Sequence, residues 1–131
     1  MTKVLRSIGA PILGYATIVI GALIFQDALF GRVTHESSLT AIVVGGGLTV
    51  FACVVAGYVL AQIAPTSPVL HAVPLVVWLG IETTILHLEG NSPLWFDAMA
   101  GGSNVLGVIL GVYIWIRHKH GAHTFRIPSD A

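Results

Sequence analysis

The chain has 131 residues, of which 55% are hydrophobic and only 9% charged, and its formal net charge is zero. Soluble domains average roughly 25% charged residues, so six acids and six Lys plus Arg argue against a small water-exposed globule and point to lipid as the solvent. Zero net charge removes any bulk pull toward nucleic acid, and the lone cysteine, Cys53, excludes an internal disulfide framework or a CxxC site.

A hydrocarbon core about 30 Å thick is crossed by about 20 apolar residues of helix, and successive stretches of the chain approach that length. The first, from Ser7 to Gln26, carries no charge. Lys3 and Arg6 ahead of it resemble the start of a signal peptide. The apolar run, however, is longer than the about 7–15 residues usual there, and no small-x-small cleavage site follows, so a retained helix is expected.

Ser37 or Ser38 can cap a second, charge-free span from Leu39 to Ile63. Gly45, Thr49, Cys53, Gly57 and Ala61 recur at every fourth position along it, a spacing that lets helix backbones approach closely in lipid. Gly45-Gly46-Gly47 lacks the Lys-Ser/Thr of a phosphate loop and sits in mid-span.

The segment Ala64-Pro65-Thr66-Ser67-Pro68 ends one helix and starts the next, with Ser67 as a cap and Pro68 at the first helical position. The third span, from Val69 to Leu88, contains His71, Pro74, Glu82 and His87. Pro74 is expected to kink it and to free the carbonyl of Leu70. After a Glu89-Gly90-Asn91 turn, Ser92-Pro93 repeats the serine-proline start.

The fourth span runs from Leu94 to Ile116, with Asp97 in its first turn, Asn104 further in, and Ser103, Gly107 and Gly111 at four-residue spacing. Trp95 and Phe96 at one boundary and Tyr113 and Trp115 near the other suit interfacial aromatic belts. A tail from 117 to 131 carries Arg117, Lys119 and Arg126 with His118, His120 and His123. It reads as a cytoplasmic stop-transfer segment drawn to anionic lipid.

In lipid only helices or a closed barrel satisfy every backbone group, and four segments cannot close a barrel. The expected fold is therefore all-α, a single membrane domain folded as an up-down-up-down four-helix bundle joined by short loops. With both tails on one side, that side holds five of the six Lys and Arg, leaving only Arg32 opposite. The positive-inside rule then places both termini in the cytoplasm.

Glu82 is the residue best suited to chemistry. It lies about 9 Å inside the outer end of its span, where an ionised carboxylate costs about 2–3 kcal/mol. Asn104 falls at a comparable depth in an antiparallel neighbour, and a Glu82–Asn104 hydrogen bond is expected. One reading makes Glu82 a proton or cation site with Asp27 and His87 near its outer mouth. The other makes it a polar clamp that sets helix register.

His71 and His87 stand about 24 Å apart along one helix and cannot share a haem iron. His35, Glu36, His87 and Glu89 share only loop proximity as an outer metal site. The tail histidines His118, His120 and His123 would bind ions weakly. The run Ile81-Glu82-Thr83-Thr84-Ile85-Leu86-His87 is not an HExxH metalloprotease motif. No catalytic residues, cofactor or metal are therefore assigned.

The run Ala56-Gly57-Tyr58-Val59-Leu60-Ala61-Gln62-Ile63-Ala64-Pro65, followed by Pro68-Val69-Leu70-His71-Ala72, resembles a pattern of small bacterial proteins with four transmembrane helices and no assigned activity. In that pattern a Gly-Gly-Tyr helix end leads through a short basic turn to a Pro-x-x-His-Ala helix start. The aromatic entry Pro93-Leu94-Trp95-Phe96 is similar as well, and the resemblance covers about half the chain. Thr66 and Ser67 stand where the turn often carries arginine. The resemblance implies the four-span topology and a bacterial inner membrane, but no activity. The expectation for function is a non-enzymatic membrane protein that self-associates or serves as an accessory subunit of a membrane complex. The alternative is a small transporter or channel component built on Glu82.

Overall fold

The computed structural model describes residues 2–90 and 92–123. Asn91 of the expected turn, and Arg126 with the rest of the tail beyond 123, lie outside the described residues. The chain is all-α, with helices α1 (Thr2–Ala22), α2 (Leu39–Ile63), α3 (Pro68–Leu88) and α4 (Leu94–His123), and a π-helical segment, Leu23–Ala28, that continues α1. All four helices are long and apolar enough to cross a membrane.

Local chemistry explains most of the boundaries. Ser38 caps α2, its hydroxyl accepting from the amide of Ala41 at 3.2 Å. Pro68 occupies the first turn of α3, where its missing N–H costs nothing. Ser67 makes no side-chain cap there; instead its carbonyl accepts from the Nδ1–H of His71 at 2.8 Å. Gly90, at φ 72°, turns the chain out of α3, as glycine does at a helix C-terminus. α1 begins already at Thr2 and α4 runs on to His123, because the basic residues flanking the apolar runs are good helix formers. The start of the expected tail is thus helical.

At the end of the π-helical segment, Gly31 and Arg32 both take positive φ. Their amides bond the carbonyls of Asp27 and Gln26 at 3.1 and 2.9 Å, closing the helix end. The wide π turns accompany a tie to the neighbouring helix: the Gln26 amide donates to Thr49 Oγ1 at 2.9 Å, and Thr49 donates to the Gly45 carbonyl.

Helix directions follow from paired contacts. Gly14 meets Leu60 and Gly21 meets Ala52, so α1 and α2 are antiparallel. Gly101 abuts Thr83 and His87 bonds Asp97 at 3.0 Å, so α3 and α4 are antiparallel as well. Gly107 lies against Val50 and Cys53, while Gly111 lies against Val54 and Tyr58, so α2 and α4 run parallel. Helices α1 and α4 do not touch among the described residues, whereas α2 and α3 each touch the other three helices. The cross-section is therefore a flattened rhombus with α2 and α3 across its short diagonal.

The closest approach is between α2 and α4. A methyl group built on Gly57 would strike the carbonyl of Val108, and one built on Gly111 would strike the carbonyl of Val54. Backbone meets backbone there, with nothing flexible to yield. Cys53, Ala56, Leu60, Ala61 and Val108 are buried around this line. Gly45 has a different neighbour, the Phe30 and Val33 side chains of the preceding connection. Ser103 donates to the carbonyl of Ala100 in its own helix. Gly46 and Gly47 have open space around them.

Gly57→Val and Gly111→Val are each expected to destabilise the detergent-solubilised protein by about 1–3 kcal/mol through overpacking. Gly46→Ala should change stability by less than about 1 kcal/mol. Denaturant titration followed by circular dichroism measures all three.

Candidate functional site

The polar side chains of the helix interiors collect along seams. Ser7, Pro11 and Tyr15 form one row of α1, and His71, Leu75, Trp78 and Glu82 form the facing row of α3. Four- and three-residue steps keep each row on one helical face. Because α1 and α3 run parallel, the rows pair in order.

At one end, the Ser7 hydroxyl and His71 Nε2 are 2.9 Å apart. The other ring nitrogen, Nδ1, faces the Ser67 carbonyl, which can only accept, so Nδ1 carries a proton. In the neutral ring Nε2 then accepts from Ser7. Arg6 adds a second tie at this end, its Nε donating to the Ile63 carbonyl at 3.0 Å. That carbonyl is in the last turn of α2, where intrahelical donors run out.

Farther along the seam, the Tyr15 hydroxyl donates to Glu82 Oε1 at 3.3 Å. The rings of Tyr15 and Trp78 meet edge to face at 6.2 Å. Glu82 and Tyr15 are half-buried, while Trp78 is 50% exposed. Glu82 is thus held by one long hydrogen bond from α1. No hydrogen bond joins it to Asn104 among the described residues. Asn104 is half-buried on α4, whereas the carboxylate turns toward α1, which α4 does not touch.

The sequence-nominated companions of Glu82 lie elsewhere. Asp27 is exposed in the π-helical segment. His87 is five residues beyond Glu82, about 140° around the helix, and faces α4. There its Nδ1 donates to Asp97 Oδ2 at 3.0 Å, and the Ser92 hydroxyl donates to the other carboxylate oxygen. Asp97 is the buried acid among the described residues, 8% exposed. Two donors and its place in the first turn of α4 offset the cost of that burial.

His35 stacks edge to face on Phe96 at 6.2 Å and lies 3.8 Å from Glu36. No group of three or more His, Cys, Asp or Glu among the described residues is arranged to hold a metal ion. His123 lies beyond the residues whose side chains are described.

The partners that the sequence reading missed are Tyr15 for Glu82, Ser7 for His71, Ser92 and His87 for Asp97, and Gln26 for Thr49. The spacing of these residues was a usable signal, since nearly whole numbers of turns, about two from Ser7 to Tyr15 and about three from His71 to Glu82, keep each pair on one helix face. Pairing them requires knowing that α1 and α3 are neighbours, which is a tertiary fact. Compared with known proteins, the chain matches no family profile, no curated protein and no solved structure.

A double-mutant cycle on Tyr15→Phe and Glu82→Gln should give a coupling of about 0.6 kcal/mol, the average for hydrogen bonds between membrane helices. Reversible unfolding in mixed micelles measures it. A coupling indistinguishable from zero would mean that the pair contributes nothing to holding α1 against α3.

Proposed function

We propose that the protein is a multi-pass, up-down-up-down helical bundle of the bacterial inner membrane, with both termini in the cytoplasm, acting as a non-enzymatic accessory subunit or self-associating unit. The observation that carries this reading is the contrast between the bundle's seams and its periphery. Several polar side chains along the seams are spent on ties within the chain: Ser7 with His71, Tyr15 with Glu82, and Gln26 with Thr49. The periphery is apolar on every helix, with Ile12, Ile20, Phe51, Val73, Ile85, Leu106 and Ile109 all more than half exposed or close to it. Such a surface suits lipid tails and the flanks of other membrane helices.

The stripes of α2 and α4 are occupied by one another at Gly57, Gly107 and Gly111. Association with another chain therefore uses other faces, and Gly46, Gly47, Gly80 and Gly102, with open space around them, are the places where a partner backbone can come close.

Orientation rests on charge. One end of the bundle gathers Lys3, Arg6, Arg117 and Lys119, whereas the other holds Asp27, Glu36, Glu89 and Asp97 with Arg32 alone. The basic end belongs in the cytoplasm. In intact cells, a membrane-impermeant maleimide should label a Ser37→Cys variant and leave Thr66→Cys unlabelled until the membrane is opened. The reverse pattern would invert the topology.

Purified from its native membrane and weighed, the protein should come with a stoichiometric second chain or as a defined oligomer. A lone monomer would remove the accessory reading. A second reading, a small transporter or channel component, is favoured by one observation: Glu82, a carboxylate within a helix long and apolar enough to span a membrane, is partly exposed and held by a single 3.3 Å bond. On that reading, proton or cation flux into proteoliposomes is lost in Glu82→Gln. Equal flux in both proteins, or none in either, assigns Glu82 to packing.

A further inference from the structure

Helices α3 and α4 do not stay together along their whole length. Toward the acidic end they are pinned by Thr83 against Gly101 and by His87 on Asp97. Toward the basic end α4 is drawn onto α2 through Gly107 and Gly111. The parting leaves a groove of about 390 Å³ whose walls are Val69, Val73 and Val77 on one side and Ile109, Tyr113 and Ile116 on the other. That volume falls in the range of about 300–1,000 Å³ usual for ligand sites.

A second hollow, bordered by Thr66, Ser67, Lys119 and His120, shares Val69 and Ile116 with the first. The two form one amphiphilic slot, greasy along the helices and polar at the mouth. Lys119 leans back over the Trp115 ring, its Nζ 4.8 Å from the centroid, which holds the ammonium at the mouth. Arg117, on the same turn, donates to the Tyr113 hydroxyl at 2.8 Å.

We infer that this slot binds an anionic phospholipid of the leaflet at the basic end, with one acyl chain in the groove and the phosphate against Lys119, His120 and the Thr66-Ser67 turn. Length selects this occupant over a second copy of the chain. From Val69 to Val77 the groove runs about 12 Å along α3, close to one leaflet's half of a hydrocarbon core about 30 Å thick. Thr83 against Gly101 closes the seam toward the acidic end, so the groove opens in one leaflet only, as an acyl chain entering from the basic side requires. Charge selects the headgroup: the mouth bears Lys119 and His120 and no acid among the described residues, an arrangement that attracts anionic headgroups.

The inference rests on the membrane placement proposed above. That placement is tested separately, since a chain recovered from the aqueous fraction without detergent would refute it before any lipid is added. The lipid test uses the detergent-purified full chain, an equimolar mixture of palmitoyl-oleoyl phosphatidylglycerol and phosphatidylcholine, and native mass spectrometry. The wild type should retain the phosphatidylglycerol preferentially. Lys119→Gln should cut that preference about fivefold, the value of one basic residue at an anionic surface. Val73→Trp, at an exposed position in the groove, should lower retention of both lipids with the helical circular dichroism unchanged.

Equal retention of the two lipids by the wild type, retention of neither, or a preference untouched by Lys119→Gln would overturn the assignment. So would a dimer that Val73→Trp dissolves, which would make a second copy the occupant. Should Val73→Trp fail to fold, Lys119→Gln, at an exposed position, decides the matter alone.

Discussion

The architecture depends on the contact of α2 with α4, where two backbones lie so close that Gly57 and Gly111 leave no room for a Cβ. In lipid there is no hydrophobic drive to bring helices together, so dispersion between closely opposed backbones has to supply it. Glycine and alanine give that closeness at the smallest side-chain entropy cost. Once α2 and α4 are joined in parallel, the remaining positions follow. The α3 helix runs antiparallel to both, and it is pinned on α4 at the acidic end by Thr83 against Gly101 and His87 on Asp97. The α1 helix is left to lie against α2 and α3, out of reach of α4.

The second level of organisation is polar. Because α1 and α3 lack a comparable glycine seam, they are tied by side-chain bonds from Ser7 to His71 and from Tyr15 to Glu82. Each bond places a polar group that would be costly against lipid into contact with another. The same economy operates at the acidic end, where Ser92 and His87 share the carboxylate of Asp97. Glu82 differs from Asp97 in having one long bond instead of two donors and in being only partly buried. That difference leaves Glu82 the more loosely held of the two carboxylates and makes Asp97 a fixed element of the fold.

The two ends of the bundle are chemically unlike. The acidic end is closed by Thr83 on Gly101 and by aromatic contacts of Phe96 with Trp95 and His35. Toward the basic end the glycines seat α4 on α2, and a groove lies between α3 and α4. The apolar groove and the polar mouth meet at Val69 and Ile116, which line both. A bundle packed equally tightly along all four seams would have neither.

Much of this was legible in the chain. The four long apolar runs, the serine and proline punctuation between them, and the segregation of Lys and Arg to one side are properties of local sequence, and Leu39–Ile63 emerges with the expected bounds. Helix existence in an apolar run is decided by backbone hydrogen bonding within the run, so no distant residue is needed to read it. The stripe of Gly57 on α2 and the pair Gly107 and Gly111 on α4 were visible in the same way, but not that they face each other. The partner of Glu82 is the clearest case of what only the tertiary structure decided. Depth alone nominated Asn104, and depth is all that residue counting along a helix supplies. Rotation about the helix axes and the choice of neighbour put Tyr15 there instead, because the glycines hold α4 against α2 and leave α1 to cover that face of α3.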